Sequence, residues 1–174
     1  MSRARLIVGA LAISAAGFAT WIDSEGFSSP AYIPTKGDVP TIGHGSTRYE
    51  NGVPVKLTDK PITKGRAEQL ARNLMSQDEL KFKASIPGVL LYQEEYDLYF
   101  DFVGQFGLGN WQISSMRKNL LLSEYRKACD SLLKWRMQGG RDCSLPQNWG
   151  PQGCKGVWTR QQQRHVKCIA AQVN

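Results

Sequence analysis

The chain has little of what metal-dependent or nucleophilic chemistry requires. Its 174 residues include only two histidines, His44 and His165, and four cysteines, none of them in a Cys-x-x-Cys pair. Zinc and thioredoxin-like sites need that spacing, and the histidines have no partners at ligand intervals, so no metal and no other cofactor is expected, and both rings are read as structural or surface groups. Ser114 and Ser115 lack the Gly-x-Ser-x-Gly elbow that exposes a serine nucleophile. Internal repeats and low-complexity tracts are missing too, and with 41% hydrophobic and 21% charged residues the composition excludes a disordered, collagen-like or polytopic membrane protein. Basic residues outnumber acidic ones by 22 to 15, a net charge of +7, yet they nowhere run together with interleaved aromatics. That argues against nucleic acid and leaves anionic lipid or a cell-wall polymer as what the charge meets.

What is present is enough for one domain or two small lobes with a core of their own. The most apolar stretch comes early: Arg3 and Arg5 precede Leu6–Ile22, LIVGALAISAAGFATWI, which carries no charge over 17 residues and then meets Asp23 and Glu25. As a helix at about 1.5 Å per residue it would be roughly 25 Å long, at the lower limit of a bilayer span. The flanking charges point its C-terminal end outward, so the chain is expected to be exported. Gly9, Gly17, five alanines, Ser14 and Thr20 make the segment much less apolar than a leucine-rich span. A cleaved leader, a lasting anchor and a weak, releasable anchor all fit, as does a buried helix of the soluble fold.

Cys129, Cys143, Cys154 and Cys168 all lie in the last third of the chain, and two disulfides agree with export. Of the three connectivities the nested one is preferred, Cys129 with Cys168 and Cys143 with Cys154, because the inner pair then closes the Pro/Gly-rich loop SLPQNWGPQG.

From Gly26 to Lys60, short apolar alternations (VPTIGHGST, GVPVKLT) separated by turn residues such as Asn51-Gly52 predict a small antiparallel sheet of two or three strands. Thr63 can cap a long amphipathic helix in which Ala67, Leu70, Ala71, Leu74 and Met75 share one face. Beyond Pro87-Gly88, helical spacing recurs in 93–106, 123–136 and 159–173. The plan is α+β: a sheet lobe (about 26–60), a linking helix (about 63–82) and a larger helical lobe (about 86–174), with an apolar N-terminal helix ahead of them. A cleft between two such lobes suits an extended substrate.

The densest chemistry lies in Glu25–Thr47, EGFSSPAYIPTKGDVPTIGHGST. Acid-catalysed glycosidic cleavage needs a carboxyl that keeps its proton for the leaving oxygen, and a polar carboxylate and hydroxyl that hold a water. Glu25 after an apolar helix, facing a Gly-rich hairpin with Asp38 and Thr41, supplies those groups. This stretch resembles the phage-type lysozymes (endolysins) of glycoside hydrolase family 24, whose pattern is Glu-Gly, a Tyr seven residues after the Glu, an Asp two residues later, then Gly and Thr-Ile-Gly-x-Gly. The chain carries Glu25-Gly26, Tyr32, Gly37 and Thr41-Ile42-Gly43-His44-Gly45, and the resemblance continues through PITKGRAEQLARNL, Gly104-Gln105-Phe106-Gly107-Leu108-Gly109-Asn110-Trp111, ACDSLLKW and GVWTRQQQRHVKC. Two departures stand out. The family's Asp position falls on Pro34 counted from Glu25, or on Thr35 counted back from Thr41, and Gln105 replaces the usual Asn.

The resemblance implies a lysozyme-like fold and a muramidase acting on peptidoglycan, of the signal-anchor-release type, with 1–22 as the releasable segment and 23–174 as the catalytic part. Glu25 is expected as the general acid, Asp38 and Thr41 as the groups that orient water, and Tyr32, Gln105 and Trp111 as glycan contacts. It further implies a monomer, tethered to the host inner membrane facing the periplasm and then released, and dependent on a holin or pinholin. A lytic transglycosylase, which uses the sugar's own hydroxyl in place of water, and a non-catalytic wall-binding or membrane-active protein are the alternatives.

Overall fold

The computed structural model describes residues 4–35 and 37–173; Arg3, part of the positive end noted above, lies outside them. In chain order the elements are β1 (Leu6–Ile7), α1 (Ala15–Glu25), β2 (Ser28–Tyr32), β3 (Thr41–Gly43), α2 (Lys64–Ser85), β4 (Leu90–Leu91), α3 (Gln93–Ile113), α4 (Ser115–Leu121), α5 (Tyr125–Ser131), β5 (Met137–Gln138), β6 (Arg141–Asp142) and α6 (Lys155–Ala171). They form two compact units, one of Ser14–Phe82 and one of residues 4–13 with 83–173.

The apolar N-terminal segment is not one helix. Leu6–Ile7 is a strand, a single 3-10 turn covers Val8–Ala10, and α1 begins only at Ala15. The break at residues 11–14 has a local cause. Ser14 caps α1, its Oγ accepting from the Gly17 N–H at 2.9 Å, and such a cap favours starting a helix there over continuing one through it. Among the described residues no helix is long and apolar enough to cross a membrane.

In the first unit, α1 buries Phe18 and Ile22, four residues apart on one face. β2 and β3 pair antiparallel, Tyr32 opposite Thr41 and Ser28 opposite Gly43 with an irregularity between. Reciprocal Ile42–Ser46 bonds of 2.9 and 3.0 Å then close a tight turn at the end of β3. The expected turn at Asn51-Gly52 is present, bridged by Arg48 and Pro54. Ile42, Val55 and Leu70 form the core beneath, and α2 lies so close that a Cβ on Gly43 would meet that of Ala67 at 2.8 Å. Only glycine fits there, which explains one glycine of Thr-Ile-Gly-x-Gly by packing. Thr63 caps α2 as expected, accepting from the Arg66 N–H at 3.2 Å.

Arg66 also pairs two-pronged with Glu50, at 2.6 and 2.8 Å. That guanidinium holds the Glu50 carboxyl down to about 2 from 4.5. A lowered folded-state value means the pair stabilises fully above the ordinary carboxylate range and loses its contribution as pH falls towards 2. Glu50→Gln should therefore lower the melting temperature at pH 6 and leave it nearly unchanged at pH 2; equal losses at both would show that the pair has no role in acid stability.

The second unit is helical, with an aromatic core of Tyr96, Tyr99, Phe102 and Trp111, all 0% exposed. α3 runs past the expected end at Phe106 and kinks at Gly107, where φ is 82°. β1 pairs with β4, Leu6 opposite Leu91 and Ile7 opposite Leu90. Disulfides join Cys129 to Cys168 and Cys143 to Cys154, the nested connectivity. Through the unfolded chain the longer loop contributes about 4 kcal/mol and the shorter about 3.

Candidate active site

Glu25 is the last residue of α1, and Gly26, with φ 70°, turns the chain out of the helix. The β3 turn comes up against this point. A Cβ built on Gly45 would lie 3.6 Å from Glu25 Oε2, and the His44 ring donates from Nδ1–H to the Gly26 carbonyl. The Glu25 carboxyl is exposed at the surface of its unit, whereas His44 is buried.

Thr41 is buried at the start of β3, and its Oγ1 donates to the Tyr32 carbonyl at 3.5 Å. Because the hydroxyl is the donor in this bond, its lone pairs remain as acceptors. Tyr32, directly opposite in β2, is 42% exposed, so its ring is open for stacking. Asp38 lies in the turn between the two strands, exposed, with its N–H donating to the Thr35 carbonyl at 2.9 Å.

The two candidates from the helical unit fare differently. Trp111 is 0% exposed, packs against Tyr99 and Phe102, and donates from Nε1 to Ser85 Oγ at 2.7 Å. It belongs to the core and cannot stack on a sugar, which corrects the expectation for this residue: its large apolar ring found a buried hydroxyl for its one polar atom. Gln105 is half-buried, its carbonyl accepting from Arg164 at 2.6 Å. Arg164, itself buried, also reaches Asp101, and burial followed by the opposing pull of Asp101 leaves its pKa lowered to about 10.

One residue of this site, His44, was expected only as a structural or surface group. His44 occupies the variable position of Thr-Ile-Gly-x-Gly, and a polar residue inside a run of otherwise apolar and glycine positions was the signal that could have singled it out.

A helical unit and a small sheet unit, with a carboxyl at a helix end against a Gly-rich hairpin, define a lysozyme-type protein. Residues 22–147 match the family model described as phage lysozyme, and the chain belongs to that family. It is 26% identical over 166 residues to a SAR-endolysin of Enterobacteria phage PA-2, covering 94% of this chain and 90% of the relative. Its fold is similar to an endolysin from Escherichia coli O157:H7 phage FAHEc1, at a TM-score of 0.75 and 21% identity over 92% of this chain and 95% of the other. It is also similar to the active form of the P1 phage endolysin Lyz, at a TM-score of 0.70 and 14% identity over 99% of both chains. The chain is a glycoside hydrolase of the lysozyme type, lytic towards peptidoglycan.

Proposed function

We propose that the protein is an exported endolysin that hydrolyses the β-1,4 bond between N-acetylmuramic acid and N-acetylglucosamine, with Glu25 as the general acid. The observation that carries this is the placement of Glu25 Oε2 against the Gly45 backbone of the Thr-Ile-Gly-x-Gly hairpin. Glu25 protonates the glycosidic oxygen as the bond breaks, and Thr41, with Asp38, orients the water that attacks the anomeric carbon. Tyr32 and Gln105 contact the glycan, and the net charge of +7 favours encounter with the anionic wall.

The similarity to a SAR-endolysin supports export. In this reading residues 1–22 are a releasable anchor and 23–174 the catalytic part. Leu6–Ile22 crosses the inner membrane as one continuous helix before release, and the division into β1 and α1 is its folded form in the periplasm. A holin or pinholin that collapses the membrane potential supplies the trigger, and the released protein acts as a monomer.

A specific observation keeps the transglycosylase as the second reading: Pro34 and Thr35 stand where the family has its carboxylate. Digestion of purified peptidoglycan in heavy-oxygen water separates the two. Hydrolysis gives reducing ends that carry the label, and Asp38→Ala should lose most of the activity. Unlabelled anhydro-sugar products would establish the transglycosylase instead, and full activity of Asp38→Ala with label still incorporated would leave the water to Thr41.

A further inference from the structure

We propose that His44 is a positioning residue for the catalytic carboxyl, acting through the backbone of Gly26. The inference rests on the assignment of Glu25 as general acid. It starts from an oddity of burial. The His44 side chain is 2% exposed, and its Nε2 is buried with no hydrogen-bond partner among the described residues. A ring kept only to fill space would be better replaced by phenylalanine, since an unpaired buried polar atom is costly and native folds rarely retain one without a reason.

The other ring nitrogen supplies the reason. A carbonyl can only accept, so the bond to Gly26 O requires the proton on Nδ1 and fixes the imidazole as that tautomer. Gly26 immediately follows Glu25, at the end of α1, where a helix is least held by its own hydrogen bonds. The carbonyl of that residue sets the plane of the next peptide and with it the direction in which the chain leaves for β2. His44 itself stands on a rigid base, because the Ile42–Ser46 bonds clamp the turn from both sides and Phe27 packs at a tilt against the ring with 5.6 Å between centroids. The next residue, Gly45, is the one whose Cβ position lies 3.6 Å from Glu25 Oε2. Beyond the β2–β3 pairing, this hydrogen bond ties the very end of the acid's helix to the hairpin that also carries Thr41, and helps set the distance between the proton donor and the water-orienting hydroxyl. The Nδ1–H bond is retained although it leaves Nε2 buried, because no apolar ring can make it.

The test uses the full chain and a soluble peptidoglycan oligosaccharide. His44→Phe keeps the ring and loses the donor, whereas His44→Asn places an amide N–H close to where Nδ1–H was. A misplaced acid slows the chemical step, so His44→Phe should lose about 10- to 100-fold in kcat with KM changed less than about threefold, at an unchanged or higher melting temperature. His44→Asn should recover kcat to within about threefold of wild type. Wild-type kcat in His44→Phe overturns the proposal; so does a loss of kcat that tracks a fall in melting temperature and is not rescued by His44→Asn. Should both variants fail to fold, long-range ¹H–¹⁵N spectra of the wild-type imidazole decide the matter: a proton on Nδ1 supports the proposal and one on Nε2 overturns it. Glu25→Gln is assayed alongside. An inert Glu25→Gln beside a fully active His44→Phe removes the role of His44 alone, whereas an active Glu25→Gln removes the acid assignment beneath it.

Discussion

Glu25→Gln is expected to abolish wall cleavage, lowering turnover by about 10²- to 10⁴-fold or more, while the melting temperature stays within a degree or two of wild type. The substitution is nearly isosteric and the side chain is exposed, so folding has little to lose. Catalysis has much to lose, because an amide cannot deliver a proton to the leaving oxygen. Turbidity clearing on purified walls measures the loss. Retained clearing by a homogeneous, folded variant would remove Glu25 from the mechanism and return the wall-binding, membrane-active alternative to the front.

The parts of the molecule legible in the sequence are those whose causes are local. Thr63 followed by an apolar face at Ala67, Leu70 and Leu74 is a capped amphipathic helix in any context, and α2 begins at Lys64 accordingly. Thr-Ile-Gly-x-Gly encodes a turn, and the structure adds that Gly43 serves the close approach of Ala67. The nested disulfides follow from a loop too rich in proline and glycine to hold itself together.

What the sequence hid depends on partners far along the chain. Leu6–Ile7 has the same apolar character as the helix that follows, and only Leu90–Leu91, some eighty residues away, makes it a strand. Trp111 was expected as a glycan contact, and Ser85, 26 residues earlier, together with the burial of the ring, decides for the core. Ser114 offered no nucleophile context and proves to be the cap of α4, a helix too short for its spacing to stand out, with Oγ accepting from the Arg117 N–H at 3.1 Å. His44 was unreadable for the same reason, since its meaning lies in the Gly26 carbonyl 18 residues before it.

The second large effect is expected at Arg5. Its Nε and Nη2 each donate to the Glu95 carboxylate at 3.0 Å, Nη2 also donates to Gln172 Oε1 at 2.6 Å, and the guanidinium lies 3.7 Å from the Tyr125 ring centroid and 4.4 Å from that of Tyr92. Glu95 is 0% exposed, and it further accepts from the Tyr92 N–H at 2.9 Å and from Gln172 Nε2 at 2.7 Å. Removing one partner of such a pair strands a buried charge, so Arg5→Ala should cost about 3–5 kcal/mol. At roughly 2–4 °C per kcal/mol for a chain of this size, the melting temperature should fall by about 6–20 °C. Arg5→Met with Glu95→Gln, which removes both charges, should cost much less than Arg5→Ala alone; a single variant that melts with wild type would show that Glu95 finds enough compensation from Tyr92 and Gln172. The consequence for release follows from where Arg5 stands in the sequence. It precedes the apolar segment, so if Leu6–Ile22 spans a bilayer as proposed, Arg5 would be on the far side from Glu95 and the helical unit would lack that half-buried partner. On that reading, release would let Arg5 reach Glu95 and β1 pair with β4, giving the unit stability it would lack while anchored. Collapsing the membrane potential should therefore make residues 83–173 of the wild type resistant to proteolysis as the chain enters the soluble fraction, with Arg5→Ala released equally well but left protease-sensitive. Equal resistance of the anchored and released wild type would separate folding from release and refute the coupling.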